Sequence, residues 1–399
     1  MRSGKIEGLI LPEMLVRLQT SVPWLQIYYI LVPIYQMFNP INLETLQPKK
    51  IFVEKDVVNS SVTRHILNKL PGVAVEYIDD YRSIRIDGCT TDNVFRKSKE
   101  CLAIAGKKGG LVKQFRCRDG IIGNTEYFIS HGNNCNLDCE YCFLQSYFDN
   151  AVPTVFINHD EILNEIKDIM IAAGDKKTVF HAGELCDALA FDDLSGLSIK
   201  LISLFSEYPN ARLELRTKTT TIENLLKIAG AENIVISWTF SPQVIVDAYE
   251  HKTPSLEERV MAAAEVQRAG YNVGVCLDPI ILCEDWFNNY KTMLDLLFDR
   301  LDITRIKFVS LGGFRYLPSL VRVIRDRKPQ TKLLLGEFVP CVDGKYRYFR
   351  PIRVEVYKRI GTVIRELTKD IKMSLCMETP EVWDGAGVQN FFNGDEHII

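Results

Sequence analysis

Neither charge dominates the chain: 48 lysines and arginines against 51 acidic residues leave −3 and an isoelectric point near 6.1. Without a global basic field, any contact with nucleic acid must rest on a local patch. The 399 residues also lack the composition of a disordered or fibrous protein, being 47% hydrophobic and 25% charged. A chain of this length buries roughly three quarters of its unfolded surface and needs no disulfide staples. Long apolar runs are missing too. The exception is 22–38, about 17 residues at the lower limit of a membrane span, interrupted by Pro23, Gln26, Pro33 and Gln36. Asn39-Pro40 follows where a cleaved signal would place small residues. Residues 1–47 therefore read as an extension that packs on the body or on a partner, or that precedes the true start, and no stable membrane span is expected. The 11 cysteines, an odd number with no secretory signal before them, point to a reducing cytoplasm. There cysteines ligate metal, do chemistry or simply pack.

What is present is a repeated unit. Residues 48–120 read as a small α/β lead-in, with strands over 51–56 and 73–80 around a helix over 62–70. Between Arg96 and Arg118 lie eight basic residues, opposed by Glu100 and, just beyond, Asp119. Such a run is either a solvated face or a phosphate-contacting patch. From 126 onward β-rich runs at 126–131, 178–182, 211–217, 233–239, 272–278 and 305–311 alternate with helical segments at 160–173, 195–207, 221–230, 255–269 and 286–301. Strands alternating with helices imply parallel βαβ units. The fold class read from this pattern is α/β: a partial (β/α)6 TIM-type barrel over 121–315, with an open doubly wound sheet as the other arrangement the periodicity permits. Residues 316–399 read as a C-terminal extension covering the substrate side, with a hairpin turning at Asp343-Gly344, then a helix, and a last strand just before Cys376. In a barrel, chemistry gathers at the C-terminal strand ends.

Directly after the first barrel strand stands Cys135-Asn-Leu-Asp-Cys139-Glu-Tyr-Cys142, three thiols within eight residues. Soft sulfur ligands suit an iron–sulfur cluster or zinc. A structural zinc site takes four protein ligands, and no second cysteine pair lies nearby, although His131 stands close enough in sequence to serve. Three ligands on a four-iron cluster leave one iron open to a small molecule.

This spacing resembles the radical S-adenosylmethionine (SAM) superfamily, in which the open iron binds SAM and reductive cleavage releases a 5′-deoxyadenosyl radical. Tyr141 matches the aromatic residue that the superfamily carries before the last cysteine. Gly183-Glu184, about 40 residues on at the end of the second strand, matches the motif that holds the methionyl amine; a carboxylate there can accept charge-assisted hydrogen bonds from an ammonium. Over 50–385 the chain more narrowly resembles the spore photoproduct lyase family. The matching residues are Tyr141 to Gln145, Thr154 to Asn158, Arg216-Thr217-Lys218, Ser237, Thr253-Pro254-Ser255 with Arg259, Ala269-Gly270-Tyr271, Pro279-Ile280 and Trp286. The resemblance implies that a 4Fe-4S cluster sits on Cys135, Cys139 and Cys142, and that Tyr141, Gly183, Glu184, Lys218 and Ser237 bind SAM. It implies a lyase that reverses a 5-thyminyl-dihydrothymine lesion in DNA, supplied with electrons by a donor such as flavodoxin or ferredoxin.

Two positions depart from that family. Its hydrogen-donating cysteine, just after the second strand, aligns with Glu184, and the tyrosine after its third cluster cysteine is Phe143, which has no O–H to relay a hydrogen atom. Cys186, two residues on, is then either a displaced donor or a small packed residue, and Tyr141 is the remaining catalytic tyrosine; Cys276 and Cys283 have weaker claims. Arginines and aromatics at 343–353 read either as a nucleotide contact or as a basic hairpin over the barrel edge, with Asp278, Glu337 and Glu378 as helpers. Besides lesion repair, two other readings stay open. One is a radical SAM lyase acting on another modified nucleobase or small molecule, as the radical SAM queuine lyase does. The other is a non-catalytic zinc or iron–sulfur protein.

Overall fold

The computed structural model describes residues 48–115, 117, 121 and 126–388; the 22–38 run, and Arg116 and Arg118 of the basic stretch, lie outside the described residues. Strand β1 (Lys50–Glu54), helix α1 (Ser61–Lys69), β2 (Ala74–Ile78), α2 (Thr91–Ser98) and β3 (Cys101–Ala105) build the lead-in. Both helices start on side-chain caps, Ser60 accepting from the Val62 amide and Thr90 from that of Asn93. β1 runs parallel to β2 and β3, and its alternate residues Ile51 and Val53 meet Ile66 and Leu70 of the α1 segment.

A hairpin of β4 (Val112–Phe115) and β5 (Glu126–Ile129) then enters the main sheet. The chain next passes through β6 (Gly132–Asn133), β7 (Asp138–Cys139) and β8 (Thr154–Phe156). β8 and β6 extend the lead-in sheet, whose order is β2-β1-β3-β8-β6, so the cysteine loop connects two neighbouring strands at its edge, with β7 inside it. Beyond α3 (His159–Ala173) come β9 (Thr178–Ala182), the short α4 (Asp192–Ser195), α5 (Leu197–Ser206), β10 (Ala211–Thr217) and β11 (Ile234–Thr239). They are followed by α6 (Gln243–Tyr249), β12 (Glu250–His251), α7 (Leu256–Arg268), β13 (Asn272–Ile280), α8 (Trp286–Arg300) and β14 (Ile306–Gly313). The last stretch holds β15 (Arg315–Tyr316), α9 (Pro318–Arg327), β16 (Phe338–Pro340), β17 (Tyr346–Tyr348), α10 (Arg350–Leu367), β18 (Lys372–Leu375) and α11 (Pro380–Ala386).

The main sheet has eight strands in the order β18-β14-β13-β11-β10-β9-β5-β4, all parallel but β4. It curls into a half-barrel open between β18 and β4. Side-chain alternation makes the curl legible: Phe180, Leu213, Leu215, Ile236, Trp238, Val275 and Leu277 join the large core shared with the helices. Val179, Val235, Cys276 and Phe308 form a second, smaller apolar cluster. Gly274 makes room for it, because a Cβ there would lie 2.6 Å from the Phe308 ring and 2.8 Å from Ser237.

Two expectations change. The segment 221–230 is not a helix; it forms one tight turn, Leu225–Lys227. Three threonines lead into it, and the carbonyls that would continue a helix serve tertiary donors, the Tyr271 hydroxyl donating to Leu225 and Ile228 at 3.0 and 2.8 Å. The strand expected just before Cys376 is present as β18, and it joins the main sheet beyond 315, pairing with β14 as a seventh parallel strand. The Asp343-Gly344 hairpin and its following helix are present, β16 pairing β17 before α10. Among the described residues no helix is long and apolar enough to cross a membrane.

Candidate active site

The cysteine loop is held by its backbone before its side chains. Asn134 takes φ +59 and donates to the carbonyls of Asn150 and Val152 at 3.1 and 3.3 Å. β7 pairs antiparallel with β12, setting Cys139 opposite Glu250, and the Cys142 amide closes a turn on Cys139 at 3.2 Å. All three cysteines are free thiols, Cys139 buried and the other two part-exposed. Burial pushes Cys135 up to about 11, with Cys142 pushing the same way and Lys99 opposing; Cys139 is raised by burial and further by Glu250 and its two thiol neighbours. Three crowded sulfurs of this kind gain from a positive centre that takes them as thiolates, so the donor set fits an iron–sulfur cluster. Among the described residues no group of three His, Cys, Asp or Glu side chains is placed to hold a single metal ion. His131 sits in a small pocket with His159 and Cys186 and is kept neutral by burial, its pKa lowered to about 4.

Tyr141 is buried, and its hydroxyl donates to Glu250. Glu250 also accepts from the Ser241 hydroxyl at 2.9 Å and pairs with the buried Arg259 guanidinium at 2.5 Å. Burial would raise the Glu250 carboxyl, but Arg259 and Lys218 hold it below the ordinary value. Lys218 lies 5.6 Å from the centre of the Tyr141 ring, so its ammonium faces this group. Asp187 aims it, accepting from the Lys218 amide at 2.7 Å, the Thr217 hydroxyl at 2.8 Å and the Leu189 amide at 3.0 Å. Glu250 and Asp187 were not singled out in the sequence; only Asp187, an acid in the turn after a strand, carried a local signal.

Gly183 has φ +126, and a Cβ would sit 2.7 Å from the Arg216 carbonyl, so only glycine allows this approach of β9's end to β10. Glu184 next to it is exposed. Ser237, by contrast, is fully buried with its hydroxyl donating to Glu214. Cys186 is buried too, so close to Gly132 that a Cβ there would lie 3.3 Å from its sulfur, and within electrostatic reach of Cys135 and Cys142. The structure thus gathers Tyr141 and Lys218 with the triplet, puts Cys186 beside Gly132 in the pocket of His131 and His159, and sets Ser237 among the polar residues of the sheet.

Those residues form two further groups. His181 bridges Glu126 at 2.8 Å and Glu214 at 2.5 Å, and Arg216 pairs with Glu214 at 2.9 Å. Burial would lower His181, yet the two carboxylates raise it to about 10. Asp278 receives a two-pronged hydrogen bond from Arg315 at 2.8 and 3.0 Å, and Arg315 reaches the half-buried Cys376 sulfur at 3.2 Å. Burial keeps Cys376 a thiol, its pKa pushed up to about 12. Cys276 is fully buried, and Cys283 lies 3.8 Å from the Asn289 amide. In the hairpin, Arg347 binds Asp343 at 2.6 and 2.8 Å, and Arg353 pairs with Glu378 at 3.0 Å. Both arginines are therefore spent on holding the fold, while Glu337 is exposed. Lys99 of the basic stretch is no solvated residue: it is buried and donates to the Cys135 carbonyl at 2.6 Å.

A curled parallel sheet that carries a three-cysteine loop after its first parallel strand, with a glycine–glutamate at the next strand's end, defines a radical SAM enzyme. The family model described as "Spore photoproduct lyase" matches residues 46–374. The chain belongs to the spore photoproduct lyase family. The curated spore photoproduct lyase of Clostridium acetobutylicum is 25% identical over 309 residues, 75% of this chain and 90% of that one. That of Bacillus subtilis is 24% identical over 297 residues, 73% and 85% of the two chains. A solved spore photoproduct lyase complexed with dinucleoside spore photoproduct is 22% identical, with a TM-score of 0.75 over 83% of this chain and 99% of that one. A mutant form with bound AdoMet and the same dinucleoside is 21% identical, with a TM-score of 0.74 over 83% and 99%.

Proposed function

We propose that this protein is a radical SAM lyase that fragments a cross-linked pyrimidine lesion in DNA of the spore photoproduct type. The family match over 46–374 carries this reading and favours it over a free modified base or a non-catalytic metal protein. Cys135, Cys139 and Cys142 would hold the 4Fe-4S cluster, and the exposed Glu184 beside Gly183 would take the SAM ammonium. When bound, cluster and SAM supply the 5′-deoxyadenosyl radical chemistry; the protein binds, orients and excludes water. Lys218, steered by Asp187, brings positive charge to the Tyr141 face of the loop, and Tyr141 serves through its lock on Glu250. Ser237 would reach the cofactor only if Glu214 released its hydroxyl. Because Glu184 and Phe143 replace the family's donor pair, the buried Cys186, two residues past Glu184, takes the hydrogen-donor role. A low-potential carrier such as flavodoxin or ferredoxin would supply the electron that the bound cluster needs. The setting is the cytoplasm, in keeping with 11 free cysteines.

The test is anaerobic. Reconstituted protein with dithionite and SAM is assayed for 5′-deoxyadenosine, with and without a dinucleotide carrying the spore photoproduct. Cleavage that rises with the lesion and releases thymine pairs is expected. Slow cleavage indifferent to the lesion would retain the radical chemistry and discard the substrate, and no cleavage from a chain with an intact cluster would discard the enzyme.

A further inference from the structure

The residues around the cluster cysteines are tied outward, each by a partner far away in sequence. Glu140 accepts from the Thr331 hydroxyl at 2.7 Å and lies 2.8 Å from the His251 ring. The widest tie is made by Arg327, the last residue of α9 and almost fully buried. Its Nη2 donates to Asp138 at 2.7 Å and to Asp92 of α2 at 3.3 Å, and its Nη1 donates to Gln145 at 2.6 Å. The guanidinium lies 3.5 Å from the centre of the Phe95 ring, also on α2. Asp138 directly precedes Cys139, and Gln145 stands three residues after Cys142, so one rigid fork grips the ligand segment on both sides. A lysine has a single charged head and could not span these partners. From α2's end, Lys99 holds the Cys135 carbonyl.

We propose that Arg327 is the positioning residue of the cluster site: it sets the separation and orientation of Cys139 and Cys142 from outside the loop, and through Asp92 and Phe95 it makes cluster retention depend on the docking of α2. This rests on the cluster reading given above. Outer partners that orient metal ligands change metal affinity about 10- to 100-fold when removed, and Arg327 reaches both ends of the segment at once.

The experiment compares Arg327→Lys, Arg327→Ala and, as a control on an exposed position of the same helix, Arg322→Ala. Each is reconstituted anaerobically and followed by iron and sulfide content, by the electron paramagnetic resonance spectrum of the reduced cluster, and by iron release to a chelator. The unfolding midpoint of the metal-free protein is measured in parallel. Arg327→Lys is expected to keep a metal-free midpoint close to the parent while releasing iron about tenfold faster, with a broadened spectrum; Arg322→Ala should match the parent throughout. If Arg327→Ala does not fold, Gln145→Met, which removes one prong of the fork, should still speed iron release several-fold. Parental release rates and spectra in Arg327→Lys and Gln145→Met would overturn the proposal. A parent chain that takes up no iron would overturn the cluster reading itself, and it is told apart because the defect then precedes any substitution.

Discussion

Arg259 and Glu250 form a fully buried ion pair behind the cysteine loop, 2.5 Å apart, and its energetics follow from what each partner leaves behind. Arg259 also donates to the carbonyls of Thr239 and Pro254 at 3.1 and 3.0 Å and to the Thr253 hydroxyl at 2.7 Å. Removing one side of such a pair strands the other charge in a low-dielectric interior, costing about 3–5 kcal/mol. Arg259→Met and Glu250→Gln are each expected to lose that much in urea unfolding of the metal-free protein. The double variant should lose less than the sum by about 2 kcal/mol, because no unpaired charge remains. Arg259→Met carries a second signature. Glu250 is held below the ordinary carboxylate value with Arg259 as the first opposing charge, so in the parent its contribution is present at neutral pH and lost as pH falls. Without Arg259, burial dominates and lifts the folded value above the unfolded one, and the variant should lose stability as pH rises above the ordinary carboxylate range. Additivity of the two substitutions within about 0.5 kcal/mol, or an unchanged pH slope in Arg259→Met, would refute this account.

His181, raised to about 10 between Glu126 and Glu214, contributes stability that is complete below the unfolded value of 6.5 and is lost as pH climbs through 10. Thermal midpoints should therefore fall over that window in the parent and flatten in His181→Gln. Gly183→Ala forces a side chain into φ +126 against the Arg216 carbonyl, and it should cost about 1–3 kcal/mol by chemical denaturation while weakening SAM binding measured by calorimetry. The hydrogen-donor assignment separates two thiols: Cys186→Ala should leave lesion-dependent 5′-deoxyadenosine formation in place and suppress intact thymine pairs at least tenfold. Chromatography of the products that shows this pattern for Cys376→Ala instead would move the role to the thiol beside Arg315.

The parts of this molecule that sequence reading reaches are those whose chemistry is local. Three thiols on one centre need close spacing, and an Asp-Gly turn needs only its own four residues, so both stand out in a bare string. The segment 221–230 failed for the opposite reason: its carbonyls are claimed by Tyr271, some forty residues on, and no window of local propensity contains that competitor. β18 reads equally well as an appendage or as a barrel strand until Leu311 and Leu375 are seen paired. The cluster loop combines both cases. Its ligands are legible at 135, 139 and 142, yet what holds them (Glu250, Arg327 and Lys99) comes from segments that share no motif and meet only in the fold. Ligand identity is thus written locally and ligand geometry is written at long range. Substitutions at these distant holders should accordingly disturb the cluster without touching any residue that a motif search would flag.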